Sequence, residues 1–212
     1  MIFDVDLRKE FGDARDQGRR PTCLAFAASD AHALVHAQPA EEFSVEFAHY
    51  RAAHRMRHYS PMAGTTPDAM FAALAHDGQP LESQWPYLNA LPTDLGLYAP
   101  PAVSRVFRHQ GRLLPNLYSA ESTLHLKRPV IMGLALTASF FGIRTLDPLE
   151  WDSDGNVMGR HAVLIVGLLK RAVGNAFLIR NSWGMRWGTQ GHAVLSRAYI
   201  EPRLLFLGEY RA

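Results

Sequence analysis

Residues 181–191 read Asn-Ser-Trp-Gly-Met-Arg-Trp-Gly-Thr-Gln-Gly, and this stretch says more about the fold than any other part of the chain. Asn181 follows a short apolar run at 176–180 that predicts a β-strand. An Asn amide oxygen at a strand end can accept a hydrogen bond from a histidine ring, and Trp183 can shield that bond from water. His161 is the candidate ring, because it directly precedes the apolar stretch 162–169, a second predicted strand.

The single cysteine of the chain stands where a predicted helix begins. From Cys23 to about His36, apolar residues recur at helical spacing. Unpaired backbone N–H groups at a helix N-terminus stabilise a thiolate, which is the nucleophilic form of cysteine. Gln17, six residues earlier, can donate a hydrogen bond to an oxyanion that forms beside the sulfur. A lone cysteine is more often a small buried apolar residue, so the His and Asn stretches are needed to favour a catalytic role.

Three stretches together resemble the papain family of cysteine peptidases, in the family's chain order. They are Gln17-Gly-x-x-x-x-Cys23-x-Ala25-Phe26, then His161-Ala162-Val163, then the block at 181–191. A cysteine with His and Asn far downstream is the known papain-like arrangement. Weaker similarities at 43–46, 64–78, 85–87 and 129–130 extend the resemblance over about residues 10–200.

The resemblance implies a role for each matched residue. Cys23 and His161 correspond to the family's thiolate–imidazolium pair, and Asn181 corresponds to the residue that orients the histidine. Gln17 and the backbone amide of Cys23 correspond to its oxyanion hole. The implied substrate-binding residues are Thr65, Thr66, Pro67, Gly133, Arg160 and Trp183.

The order of predicted elements favours an α+β fold, with helices first and strands afterwards. Helices are predicted at Cys23–His36, after Ser44, from Thr66 to Gly78, and at Ser119–Lys127. Strands are predicted at Val103–Arg108, Val130–Leu136, Ala162–Leu169, Ala176–Arg180 and His192–Ser196. The resemblance implies one papain-like domain over residues 1–212, with a mainly helical N-terminal lobe at about 10–105, an antiparallel β-barrel-like C-terminal lobe at about 106–205, and a cleft between them.

Several positions depart from the family pattern. Arg20 stands where members of the family usually have a disulfide cysteine. Arg19 and Arg20 are both expected at the solvated surface, and a contact with substrate stays open. Thr65 stands where a glycine commonly pairs with substrate, so an extended substrate is expected to bind differently. Arg160 stands where Asp or Asn is frequent, and its charge is expected to lower the pKa of His161. Activity on generic peptides is therefore expected to be reduced or narrowed.

Composition narrows the range of partners. The 212 residues include 22 Lys and Arg against 20 Asp and Glu, so neither a nucleic-acid nor a membrane-surface partner is expected. No apolar run reaches the about 18 residues that cross a bilayer, and the N-terminus lacks the pattern of a secretory signal. One cysteine allows no internal disulfide and fits a reducing compartment, which leaves the cellular location open.

No metal or other cofactor is expected. His54 and His58 have the i, i+4 spacing of a metal pair, but a third ligand is missing from the pattern. Residues 152–156 are similar to a calcium loop without its terminal Glu, and they predict a turn between strands.

The predicted function is cysteine-dependent hydrolysis of peptide bonds by an endopeptidase acting on a protein or peptide substrate. Isopeptidase, exopeptidase, amidase or transpeptidase activity on the same scaffold stays open, as does a catalytically inactive binding module. Because Gln17 lies close to the first residue of the sequence, the family's inhibitory prosegment is expected to be absent. Control is therefore expected from a proteinaceous inhibitor, a fusion partner, or delivery into another cell or compartment.

Overall fold

Three helices in the first half of the chain begin at the predicted residues. In the computed structural model, which describes residues 2–36, 41–151 and 155–211, they are α1 at Cys23–Val35, α2 at Val45–Ala53 and α3 at Pro67–His76. The Ser44 and Thr66 side chains cap α2 and α3, since their hydroxyl oxygens accept backbone N–H bonds from residues 47 and 69. Gly78 follows α3 with φ of 76°, a left-handed conformation that favours glycine.

The second half of the chain forms most of a seven-stranded sheet. The strands are β1 at Val5–Asp6, β2 at Gly111–Leu114, β3 at Val130–Leu136, β4 at Gly159–Leu169, β5 at Ala176–Arg180, β6 at His192–Ser196 and β7 at Leu204–Tyr210. Their order is β2-β7-β3-β4-β5-β6, β1 pairs with β4, and each of these pairings is antiparallel. Three further helices lie between strands: α4 at Leu117–His125, α5 at Ala138–Phe141 and α6 at Arg197–Ile200.

Helix α1 packs directly on the sheet, in one continuous apolar core with β3 and β4. Most of its buried side chains are small, among them Ala25, Ala28 and Ala31, which let the helix approach the strands closely. The N-terminus of α1 therefore lies beside the start of β4. The backbone N–H of Ala162 in β4 acts on the sulfur of Cys23, where it favours a lower pKa of the thiol.

A buried carboxylate joins α1 to the sheet on another side. Asp30 lies between Arg15 and Arg180, at 2.6 Å and 2.8 Å. Burial opposes ionisation of Asp30, but the two arginines hold its pKa below the ordinary value. The helix and β5, which leads to Asn181, are thus fixed relative to each other.

The predicted α+β fold is confirmed, although some elements differ. The strand predicted at Val103–Arg108 is wrong, because only Phe107 in that segment pairs, in one isolated bridge with Gln79. Strands β1, β2 and β7 were not predicted from the sequence. The turn predicted at 152–156 lies partly outside the described residues.

Two further findings concern the described ranges as a whole. None of the helices within residues 2–36, 41–151 and 155–211 is long and apolar enough to span a bilayer. The same ranges contain no group of three or more His, Cys, Asp or Glu side chains placed to hold a metal ion.

Candidate active site

One open groove of about 490 Å³ collects most of the predicted site residues. Those that line it are Gln17, Cys23, Thr65, Thr66, Pro67, Arg160 and His161. They come from the loop before α1, the start of α1, the start of α3 and the start of β4. Residues far apart in sequence therefore meet on one surface between helices and sheet.

The thiol of Cys23 is partly exposed at the first residue of α1. Burial raises the pKa of this thiol, and the backbone N–H groups of Ala162, Leu24 and Cys23 itself act in the opposite direction. Those amides favour the thiolate, as expected at a helix N-terminus, but they do not outweigh burial. A neighbouring positive charge is therefore needed to ionise the sulfur at neutral pH.

His161 is held by a hydrogen bond with Asn181. The Nε2 atom of His161 lies 2.6 Å from the Oδ1 atom of Asn181, and the Ser182 backbone N–H donates to the same oxygen at 2.8 Å. An amide oxygen only accepts hydrogen bonds, so the ring carries its proton on Nε2. In the neutral imidazole, Nδ1 is then left with a lone pair and can act as a base.

Burial lowers the pKa of His161 to about 4, against which the Asn181 hydrogen bond acts. The direction agrees with the expectation from the sequence, but the cause differs: Arg160 is exposed and does not contribute to the shift. The imidazole has only 7% of its surface exposed. Its environment therefore favours the neutral base over the imidazolium ion unless an anion lies nearby.

Aromatic rings cover the histidine. The Trp183 ring centroid lies 4.6 Å from that of His161, and Phe141 stacks on Trp183 at 5.3 Å. Trp183, for which a substrate contact is also expected, does not line the groove; its ring lies against the imidazole instead.

Gln17 is fixed at both ends of its amide. Its Oε1 atom accepts a hydrogen bond from the Ser182 hydroxyl at 2.7 Å, and its Nε2 atom donates to the Arg20 carbonyl at 2.7 Å. An amide nitrogen has two hydrogens, so the second remains for a ligand in the groove. The Tyr87 hydroxyl donates to the Gln17 carbonyl and also contacts Thr22, which immobilises the loop before Cys23.

Arg20 is buried, so its predicted place at the solvated surface is wrong. Its guanidinium binds Glu46 of α2 through two hydrogen bonds of 2.6 and 2.8 Å, with side-chain exposures of 5% and 0%. The Tyr98 hydroxyl and the Leu88 N–H donate to the same carboxylate. This network joins the loop before Cys23 to α2 through a buried ion pair.

Gly133, where a substrate contact is expected from the resemblance, is not among the residues that line the groove. A Cβ atom at Gly133 would lie 2.1 Å from the Phe206 ring, which covers this residue. Phe206 and Leu205, at the start of β7, line the groove in its place. Sequence reasoning missed both because β7 itself was not predicted.

Ser182 and Glu46 were also missed. Ser182 directly follows Asn181, inside the most informative stretch, so its contact with Gln17 was within reach of the motif. Glu46 carries no comparable signal, because a first-turn acid on a helix is usually explained by the helix dipole.

Comparisons with known proteins agree with this geometry. The sequence model described as papain family cysteine protease matches residues 3–202. The chain belongs to the papain family of cysteine proteases, as the resemblance predicted.

Solved structures show the same fold. Xylellain, a cysteine protease from Xylella fastidiosa, superposes with a TM-score of 0.83 at 21% identity, over 98% of this chain and 85% of that one. The Carica candamarcensis cysteine protease CMS1MS2, in complex with E-64, superposes with a TM-score of 0.76 at 20% identity, over 99% of this chain and 98% of that one.

A curated sequence relative matches over a shorter stretch. The probable cysteine protease RDL3 of Arabidopsis thaliana is 48% identical over 48 residues, which are 22% of this chain. The match spans 13% of the length of that relative.

Proposed function

We propose that this protein hydrolyses peptide bonds as an endopeptidase, with Cys23 as nucleophile, His161 as general base and acid, and Asn181 as the residue that orients the ring. One observation supports this most strongly. The Cys23 thiol and the His161 imidazole line the same groove. The proton on Nε2 of His161 is donated to Asn181, which leaves Nδ1 as the basic atom.

The resting site holds two groups whose burial opposes charge. Burial raises the pKa of the Cys23 thiol and lowers that of the His161 imidazole to about 4. Proton transfer from sulfur to Nδ1 creates both charges together, so each stabilises the other. The helix N-terminus adds to the stabilisation of the thiolate, and the Asn181 oxygen adds to that of the imidazolium.

Acylation follows from this arrangement. The Cys23 sulfur attacks the peptide carbonyl carbon, a C–S bond forms, and the carbonyl oxygen becomes an oxyanion. The free amide hydrogen of Gln17 and the Cys23 backbone N–H are the proposed donors to that oxyanion. His161 then protonates the leaving nitrogen, the C–N bond breaks, and an amine and a thioester result.

Deacylation uses the same residues in the opposite sense. His161 takes a proton from water, which attacks the thioester carbon, and the C–S bond breaks to release the carboxylic acid. The proton stays on the imidazole, so the thiolate–imidazolium pair is restored. Trp183 excludes competing water from the His161–Asn181 hydrogen bond throughout the cycle.

The test compares wild type with Cys23→Ser, Cys23→Ala and His161→Ala on a proteome-derived peptide library, with products identified by mass spectrometry. Internal cleavage by wild type, abolished in all three variants, is the expected result. Release of single terminal residues only, cleavage of isopeptide bonds only, or joined peptides would replace the endopeptidase with one of the other acyl-transfer activities.

Folding is checked separately, so that inactive variants are informative. Cys23→Ser changes one atom at a partly exposed position, and its circular dichroism and denaturation midpoint are expected to match wild type. Wild type that cleaves nothing and whose only thiol resists an epoxide of the E-64 type would instead support an inactive binding module.

A further inference from the structure

The groove carries an unbalanced positive charge. Arg160 is exposed and lines the groove, and no Asp or Glu is among the lining residues. A guanidinium is charged at every physiological pH, whereas the only other basic group on the wall, His161, is mainly neutral when unpaired. A ligand in this groove therefore meets a fixed cation.

Arg160 also differs from the buried arginines near the site. Arg15 and Arg180 share the carboxylate of Asp30, and Arg20 binds Glu46. Within residues 2–36, 41–151 and 155–211, no carboxylate forms an ion pair with Arg160. Arg160 is exposed on the wall of the groove, where its charge can meet a ligand.

The sheet register places Arg160 of β4 on the same face of the sheet as Phe206 of β7, with β3 between the two strands. On β4, residues 160 and 162 project to the same face, because side chains alternate along a strand. Ala162 pairs with Gly133 of β3, and Gly133 pairs in turn with Phe206 of β7, so these residues form a row across the sheet. Arg160 pairs with Ala135, one alternation away from that row and about 7 Å along the strand.

The Phe206 ring packs directly over the backbone of Gly133, because Gly133 has no side chain. The ring occupies the space where a Cβ of residue 133 would be, at 2.1 Å. The groove therefore has an aromatic floor at Phe206 and a cationic rim at Arg160. These two surfaces together fit a side chain that has aliphatic carbons near its base and an anionic group at its end.

We propose that the enzyme prefers substrates with an acidic side chain close to the cleaved bond, whose methylene groups pack on Phe206 and whose carboxylate pairs with Arg160. The proposal rests on the peptidase function proposed above and specifies its substrate class. The pair forms at an exposed rim, so the preference is modest: about two- to fivefold in kcat/KM for Glu over Gln. Added salt weakens it, because exposed charges are screened.

The experiment uses internally quenched peptides that share one cleavable sequence and carry either Glu or Gln at one flanking position at a time. The Glu-to-Gln ratio of kcat/KM is measured for wild type, Arg160→Gln and Arg160→Glu, at low salt and at about 0.5 M salt. Arg57→Gln is the matched control, since Arg57 is exposed, lies outside the groove and undergoes the same change of charge.

Wild type and Arg57→Gln are expected to show the two- to fivefold ratio at one position, reduced at high salt. The ratio is expected to fall to about one in Arg160→Gln and below one in Arg160→Glu, because an acidic side chain then meets no cation or a like charge. Each ratio compares two peptides on the same variant, so a general loss of activity or partial unfolding cancels.

Two failures are distinguishable. Cleavage with equal rates for Glu and Gln at every position, or a preference retained in Arg160→Gln, overturns the acidic-substrate proposal and leaves the peptidase function standing. No cleavage of any peptide, together with no reaction of Cys23 with the epoxide, overturns the peptidase function and this proposal with it.

Discussion

The buried ion pair behind the nucleophile is open to a direct test by Glu46→Gln. The Glu46 side chain is fully buried and accepts hydrogen bonds from the Arg20 guanidinium, the Tyr98 hydroxyl and the Leu88 N–H. Glutamine keeps the shape but removes the charge and turns one acceptor into a donor. A buried guanidinium is then left without its counter-ion, which costs about 3–5 kcal/mol of the free energy of unfolding.

The assay is urea denaturation followed by fluorescence, with Glu42→Gln as the control. Glu42 is an acid of the same segment but is half exposed and lies 3.7 Å from Arg15, so its change is expected to cost about 0–1 kcal/mol. The double change Arg20→Met with Glu46→Leu removes both charges together and is expected to be more stable than Glu46→Gln.

A Glu46→Gln protein within about 1 kcal/mol of wild type would show that the pair contributes no more than an exposed ion pair. The account of Arg20 and Glu46 as the link between the nucleophile loop and α2 would then be wrong.

Three further predictions concern the site and its surroundings. Asn181→Ala is expected to lower kcat/KM about 10- to 100-fold, because a hydrogen bond to a charged imidazole contributes about 1.5–3 kcal/mol. Full activity with an unchanged pH–rate profile would contradict this. Gly133→Ala is expected to lower the free energy of unfolding by about 1–3 kcal/mol because its Cβ meets the Phe206 ring. Adding Phe206→Ala should relieve that clash, so the double variant is expected to be more stable than the sum of the two single changes predicts, and a strictly additive loss would contradict this. Burial lowers the pKa of His32 to about 3, so below about pH 6.5 the unfolded state binds a proton that the folded state does not, and the free energy of unfolding falls. In wild type this contributes about 2 kcal/mol to the difference in the free energy of unfolding between pH 7 and pH 5, and His32→Gln is expected to lose that contribution. Urea denaturation at both pH values measures it, and the same pH dependence in both proteins would contradict the prediction.

Local signals in the sequence were sufficient for most helices and for the central strands. Ser44 and Thr66 cap their helices through contacts three residues away, and β3, β5 and β6 are buried apolar runs with the predicted bounds. Strand β7 lacked such a signal, because its residues alternate only partly in burial and its partners β2 and β3 lie far earlier in the chain.

The same contrast applies to the site. Cys23, His161 and Asn181 belong to short sequence motifs, so the sequence alone was sufficient to predict them as candidate site residues. Burial of Arg20 depends on Glu46 in another helix, and the cover over Gly133 depends on Phe206 in an unpredicted strand. Neither contact has a local pattern, which is why the sequence placed Arg20 at the surface and Gly133 in the groove.

Some expectations stay predictions. The lobe boundaries, the cellular location and control by a proteinaceous inhibitor or fusion partner all follow from the sequence and its resemblance alone.

The central claim is that His161 activates Cys23, and the rate of Cys23 alkylation against pH tests it most directly. Iodoacetamide reacts with thiolate, and the chain has a single cysteine, so intact mass reports on one site. Wild type is expected to react rapidly at about pH 5.5, where an ordinary thiol of pKa about 8.5 is roughly 0.1% ionised, and His161→Ala is expected to lose that reaction. A rate that rises only above about pH 8 and is the same in both proteins would contradict the claim.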